Sequence, residues 1–498
     1  MRSKPFIAAL LLLCAAASHG GAQEVSPQRF AGREVTPAQA EILRQRVRFT
    51  PSRALDGPLP ASVDNSRLKY FPPIFNQSGG SCAQASGIGY MFTYEVNRLL
   101  DRDASSDANR FSYEFAWHML NEGEDQGSFV SQGLMLARNY GIMTLADYGV
   151  SGAAVFKWAT GYEKYLNAIR YRASEILIYD DSIPLMKRYL YDAGDGSAAG
   201  GVLTFSAMST GWVIDNYYDG PSQTGYHSLL TSLAIDGSHA MTIVGYDDTV
   251  CYTDSDGVTH EGAFIVVNSW GTWTHDNGRY YLPYDFFRDK SVPNTQLSNT
   301  VEGVRVRIHE PKVVFKVAVD YTSRDDIRFQ TGLSSDKGST YPEKVKPVSV
   351  FENQGGDYPM RGAYFGSEVE LAIDLTEVMD TSREYGRYFL NVNKSVAGKK
   401  RGEGSVTALS LIDYRSGEPV EYPYRGPLPA RIEGGNNWFS IGTKPLFSVP
   451  VSAYTYSSGS QEEKGTFVVR TADGRAGKFI FNPSSEDGKR VIRYQVRK

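Results

Sequence analysis

The apolar pattern of this chain changes character near residue 300, and that change limits what it can fold into. From about Leu59 to Asn299, stretches with helical spacing alternate with short β-branched runs. Helices are predicted at Cys82 to Leu100, Tyr113 to Asn121, Gln132 to Tyr140 and Ile183 to Tyr191. Strands are predicted at "VLTFSAM", "AMTIVGY" and "AFIVVNSW". From about Val304 onward the chain reads almost wholly as strands and turns, as in "VVFKVAVDY", "VELAIDL" and "KFIFN". "TADGRAG" there carries an Asp-Gly hairpin signal. A chain of 498 residues is too long for one ordinary core. Two units are therefore expected: an α+β unit over 59–299 and an all-β sandwich over 304–498.

The first residues, "MRSKPFIAALLLLCAAASHGGAQEV", set Arg2 and Lys4 before an apolar run from Phe6 to Ala17. Small residues follow, with Ala22 at the expected cut. This is the pattern of a secretory signal peptide over 1–22, and no later segment reaches membrane-spanning length. A secreted, periplasmic or cell-surface location is expected. A lipid anchor on Cys14 is the lesser alternative, because Leu13 stands where such anchors have a small residue. Residues 23–58 are polar, with one helix-like stretch, "TPAQAEILRQRV", opened by Thr36 as N-cap and Pro37 at the first helical position. They read as a short propeptide or a linker. A net charge of -4 offers no basic excess for nucleic acid.

After the leader only Cys82 and Cys251 remain, so at most one disulfide is open to the chain. A free cysteine kept in an oxidising compartment is expected to serve chemistry. Cys82 stands where the turn "NQSGGS" becomes a helix. The partial positive charge and unpaired N–H groups of a helix start favour a thiolate there. Gly79 and Gly80 leave room for a substrate backbone. The Gln77 amide and the Cys82 N–H together suit a developing oxyanion. A base must come from elsewhere, and His239 opens the strand "SHAMTIVGYDD". Asn268 ends the next strong strand, where it can orient the His239 ring, with Trp270 covering the pair. His275 is expected near the same cleft. Cys251 fits no such role. "DSDG" at Asp254 to Gly257 reads as an Asp-Gly turn in preference to a remnant calcium loop, and Trp438 as structural.

Three blocks, "LPASVDNSRLKYFPPIFNQSGGSCAQAS", "SHAMTIVGYDD" and "VVNSWGTWTHDNGRYYLPYDFF", resemble in order the signatures of papain-like cysteine peptidases. The resemblance covers roughly 59 to 290. It implies a two-lobed catalytic domain with a helical lobe and a β-barrel lobe. It also implies Cys82 as nucleophile, His239 as base, Asn268 as ring orienter and Gln77 in the oxyanion hole. "FSYEFAWHMLNEGEDQGSFVSQGLMLARNYGIMT" is similar to the family's cleft-building stretch, with Gly127 matching a glycine that pairs with the substrate backbone. The implied activity is peptide-bond hydrolysis on a peptide or protein substrate, with no cofactor and no metal. The family's turn cysteine and its bridge are replaced here by glycine. The turn is one residue shorter, Ala83 stands where an aromatic is usual, and the spacings from Cys82 to His239 and Asn268 exceed the usual ~130–150 residues. These departures motivate a rival reading, an inert scaffold in a secreted binding protein whose β-sandwich takes a glycan or protein ligand.

Overall fold

The computed structural model describes residues 37–49, 57–149, 155–179, 182–219, 225–289, 291–293, 296–298, 300–348, 356–380, 382–394, 402–443, 466–470, 476–482 and 491–496. The expected leader over 1–22, with Cys14, and the turn of "TADGRAG" lie outside them. Among the described residues no helix is long and apolar enough to cross a membrane.

The first half is mixed α and β, as the alternating pattern predicts. The helix expected from Cys82 to Leu100 runs as Cys82–Gln84, a π-helical Ala85–Phe92 and Thr93–Leu100. Ala85, Ile88, Phe92 and Val96 are fully buried along it, but Leu99 is 51% exposed. The π-helical stretch, with its i→i+5 bonding, turns the later face away from a strict 3.6-residue expectation. Its sequence allows the widening, since Gly89 lets the ring of Phe75 approach to where a Cβ would stand 2.7 Å from Cζ. Helices Tyr113–Leu120, Val130–Asn139 and Ile183–Tyr191 lie close to their predicted places. Tyr162–Ile169 and the strand Tyr171–Ile178 are additions the pattern did not show.

One sheet carries the strands in the order Val47–Arg48, Tyr171–Ile178, Glu302–Ile308, Leu203–Thr210, Asp236–Thr253, Thr259–Val267, Arg279–Pro283, Gly225–Ser232 and Val213–Asp219. Ser62–Asp64 pairs alongside Asp236–Thr253. Asp236–Thr253 and Thr259–Val267 are antiparallel neighbours, with Thr242 opposite Val267. Glu302–Ile308, placed by its sequence at the start of the β-region, runs inside this first sheet.

The segment before the first unit docks on this sheet's edge. After the helix Pro37–Arg44, Val47 and Arg48 pair in parallel with Leu177 and Ile178. Phe49 is buried, stacked on Tyr179 at 4.7 Å and edge-on to Tyr189 at 5.6 Å. Arg46 reaches Glu302 at 2.6 Å, with both side chains nearly buried. Four strand steps separate this edge from Asp236–Thr253, or about 19 Å at ~4.8 Å per step.

The later chain forms several antiparallel sheets. One pairs Glu368–Asp374, Val313–Tyr321, Gly404–Asp413 and Val420–Pro423, and another Lys344–Pro347, Ile327–Ser334, Arg387–Lys394 and Gly435–Gly442. Their buried residues, among them Val317, Leu371, Phe329 and Leu390, join the same apolar core as Leu134, Tyr165 and Ile169 of the helical part. Polar contacts cross the same boundary. Tyr140 donates to the Ala372 carbonyl at 2.7 Å, and the Tyr162 N–H donates to the Glu370 carboxylate at 2.8 Å.

Phe49→Ala empties an aromatic site, which costs about 3–5 kcal/mol for a buried Phe. The thermal midpoint is expected to drop by roughly 10 °C at the size of this unit. A shift below about 2 °C in a calorimetric melt would mean that Phe49 contributes little packing.

Candidate active site

The end of the strand Thr259–Val267 and the turn before Cys82 are joined by backbone bonds. The Gln77 N–H donates to the Ser269 carbonyl at 2.7 Å and the Gly271 N–H to the Phe75 carbonyl at 3.1 Å, around an Asn76–Trp270 bridge. A second tie is side chain to side chain. Ser86, one turn past Cys82, meets Thr242 at 2.9 Å in a buried hydroxyl pair, and Thr242 lies three residues past His239. These contacts fix the Cys82 helix against the His239 strand. The Cys82 sulfur lies against the backbone N–H of Ala240, the residue after His239.

His239 and Asn268 are both buried, and their side chains meet at 2.8 Å from Nε2 to Oδ1. The Ser269 N–H also donates to Asn268 Oδ1, at 2.7 Å, which identifies that atom as the oxygen. Nε2 of His239 must then carry the hydrogen, and the neutral ring keeps its lone pair on Nδ1. The Asn268 amide nitrogen faces His275 Nε2 at 3.4 Å, so a chain runs from His239 through Asn268 to His275. Trp270 stacks on the His239 ring at 4.5 Å, and Trp212 stands edge-on to it at 6.4 Å and to His275 at 5.9 Å. Trp273, in contrast, is 78% exposed.

Gln77 is held on both ends of its amide. Its oxygen accepts from the Ser269 hydroxyl at 2.6 Å, and its nitrogen donates to the Gly79 carbonyl at 2.9 Å. An amide nitrogen has two hydrogens, so one is left for another acceptor. Gly127 is exposed and runs beside Gly80: a Cβ on Gly80 would sit 3.2 Å from the Gly127 nitrogen. The structure thus gathers Cys82, His239, Asn268, Gln77 and Trp270 in one place, with Gly127 on the adjoining wall. Trp212 and Asp125 join them without any sequence signal, since neither lies in a recognisable motif. Cys82 and Cys251 are both unpaired, Cys251 being exposed. Asp254 closes its own turn by accepting from the Asp256 and Val258 N–H groups at 3.0 and 2.9 Å. Among the described residues no cluster of His, Cys, Asp and Glu could hold a metal ion.

Burial dominates the electrostatics. It pushes the Cys82 thiol up, against the pull of the N–H groups of Ala240, Ala83 and Cys82 itself. It pushes His239 down to about 4, helped by His275 and opposed by the Asn268 bond. His275 is likewise lowered by burial.

No protein-family model matches the chain, and no curated protein matches it. Among solved structures it is similar to xylellain, a cysteine protease from Xylella fastidiosa, at 17% identity and a TM-score of 0.38, covering 54% of this chain and 93% of that one. It is also similar to procathepsin B S9 from Trypanosoma congolense, at 17% identity and a TM-score of 0.35, covering 52% and 82%. A third is the bromelain protease from Ananas comosus, solved with the inhibitor E64, at 15% identity and a TM-score of 0.32, covering 49% and 99%.

His118, buried within its helix, is also pushed down to about 4 by burial. Between about pH 4 and the ordinary histidine value near 6.5, the unfolded chain binds protons at positions 118 and 239 that the folded chain refuses. The contribution of these two rings to folding stability is therefore full above pH 6.5 and lost as pH falls through that window, by on the order of 3 kcal/mol per histidine. Calorimetry from pH 7 to pH 4 is expected to show a falling midpoint. A flat profile would contradict neutral, buried rings.

Proposed function

We propose that this chain is an exported cysteine peptidase in which Cys82 attacks the scissile carbonyl and His239 moves the protons. The observation that carries the reading is the fixed tautomer of His239. Asn268, its own oxygen pinned by a backbone N–H, claims Nε2–H and leaves the Nδ1 lone pair as base, on the strand whose next residue, Ala240, meets the Cys82 thiol. Each group alone is neutral, because burial opposes a lone charge. A thiolate and an imidazolium formed together supply each other's counter-charge, so that one proton transfer meets less opposition than either ionisation by itself.

In this mechanism the Cys82 proton passes to Nδ1 of His239 as sulfur bonds to the carbonyl carbon. The oxyanion meets the Cys82 N–H and the free hydrogen of the Gln77 amide. The C–N bond then breaks, and His239 gives its proton to the leaving amine, which leaves a thioester. Water attacks that thioester while giving a proton to His239. The C–S bond breaks, the acid leaves and the proton returns to sulfur. Trp270 and Trp212 shield the His239–Asn268 bond from water. Residues near Gly127 offer backbone to an extended peptide. The leader at 1–22 and the sparing use of cysteine support export.

The rival reading, an inert scaffold, draws on one observation: the Gln77 amide already donates to the Gly79 carbonyl within its own short turn. The expected outcome separates the two. Wild-type protein hydrolyses a mixed peptide library at neutral pH, and a thiol-directed epoxide labels Cys82. Cys82→Ala does neither, and Gln77→Ala loses about 10²–10³ in kcat as an oxyanion donor should. Unlabelled Cys82 in the wild type, or full turnover by Cys82→Ala, would end the peptidase reading.

A further inference from the structure

We propose that Asp125 is a positioning residue for the turn that carries the oxyanion donor, acting through the Gly80 N–H. The inference rests on the peptidase reading above. The Gly80 N–H donates to Asp125 Oδ1 at 2.6 Å, a short bond of the charge-assisted kind. The residue before it is shaped to the same carboxylate. Gly79 has φ +48°, and a Cβ there would stand 2.3 Å from Asp125 Oδ1 and 2.7 Å from its Cγ. No side chain at position 79 is compatible with the carboxylate where it is, so the two residues form one fitted unit.

The rest of the turn has other anchors. Gln77 is bonded to Ser269, and the Ser78 N–H donates to the Tyr113 hydroxyl at 3.2 Å while its own hydroxyl donates to Glu114 at 2.8 Å. Between Ser78 and Cys82, Asp125 holds the peptide from outside the turn. Ser81 adds nothing through its side chain, whose buried hydroxyl has no partner. Asp125 itself stands on a fixed segment. Trp117 donates its indole N–H to the Gln126 carbonyl at 2.9 Å, and Gln126 donates to the Asn121 carbonyl at 2.8 Å. Two residues beyond Cys82, the Gln84 amide donates to Ser128 Oγ and to the Phe129 carbonyl, each at 2.9 Å. The stretch from Asp125 to Phe129 is thus tied to the chain on both sides of Cys82.

An oxyanion donor counts only when aimed, and a misplacement of about 1 Å can cost on the order of 10²-fold. Without the carboxylate, the Gly79–Gly80 peptide keeps only the Gln77 amide on its Gly79 carbonyl, and the Cys82 N–H two residues on loses part of its aim. Asp125→Asn keeps an oxygen acceptor in place, whereas Asp125→Ala removes it. Gly79→Ala reaches the same end by displacing the carboxylate.

The test measures kcat and KM on a peptide amide, alkylation of Cys82 by iodoacetamide, and hydrogen exchange of the Gly80 amide. Asp125→Ala is expected to lower kcat by about 10- to 10²-fold. KM and the alkylation rate, which needs no oxyanion hole, stay within about twofold of the wild type. Gly80 exchange accelerates. Asp125→Asn restores most of kcat, and the double variant Asp125→Ala with Gly79→Ala is no worse than Gly79→Ala alone, because the carboxylate contact is already lost in that variant. Unchanged kcat, unchanged Gly80 exchange, or a loss confined to KM would overturn the proposal, the last by making Asp125 part of a substrate subsite. A wild type that hydrolyses no peptide overturns the peptidase reading instead, and Gly80 exchange in the Ala and Asn variants then decides whether the clamp exists.

Discussion

The backbone pairing of residues 75–77 with residues 269–271 is the constraint on which the site depends. One partner is the turn leading into the Cys82 helix. The other is the turn leaving the strand that ends beside Asn268. Two peptide hydrogen bonds and the buried Ser86–Thr242 pair align a helix start with a strand start more than 150 residues away in sequence. Backbone bonds are well suited to this, because they need no particular side chain and tolerate little displacement. Tyr90 reinforces the junction, accepting from the Phe75 N–H and donating to the Asn268 carbonyl, each at 3.2 Å.

With that alignment set, the polar side chains around Asn268 follow almost by elimination. A backbone N–H fixes the amide oxygen, the oxygen fixes the His239 tautomer, and the amide nitrogen is left facing His275. Each step uses a group that would be costly to bury unpaired. The aromatic surroundings of Trp270, Trp212 and Tyr280 keep water away and hold the rings neutral. A dry site of neutral groups is one where transferring a single proton changes the local field most, since the low dielectric strengthens every interaction with the charges so formed.

The β-rich half is joined to the helical half by more than a linker. Arg324 stacks over Trp158 at 4.3 Å and donates to the Phe156 carbonyl at 2.6 Å, and burial lowers its pKa to about 9. Arg172, itself buried, reaches Asp374 at 3.3 Å, and His309 reaches the same carboxylate at 2.7 Å. These buried polar contacts tie the two halves at fixed points. With a shared apolar core beneath them, they make the later sheets a buttress for the helices Val130–Asn139 and Tyr162–Ile169.

Much of this was legible in the sequence, and the boundary of legibility is physical. Local pattern marked the helix beginning at Cys82, the strands around His239 and before Asn268, and the change to strands alone, because periodicity is a property of neighbouring residues. It put Cys82, His239, Asn268, Gln77 and Trp270 forward as one group through the order and chemistry of three short blocks. Other features depend on residues far apart in the chain meeting in space, and no local signal reports that. Glu302–Ile308 entered the first sheet because Tyr171–Ile178 and Leu203–Thr210 left a gap for it, and Val47–Arg48 took the open edge. Leu99 faces outward beyond the π-helical Ala85–Phe92, whose wider winding shifts the face that a 3.6-residue period predicts. Asp125, one acid among several in "NEGEDQGS", acquired its place only when the fold brought a free Gly80 N–H within hydrogen-bond reach of it. The sequence by itself determined which side chains were present to do chemistry and, where its periodicity was strong, which segments would be helix or strand. The tertiary structure alone decided which backbone donors met which acceptors, because hydrogen bonds act over about 3 Å and only the finished packing sets distances on that scale.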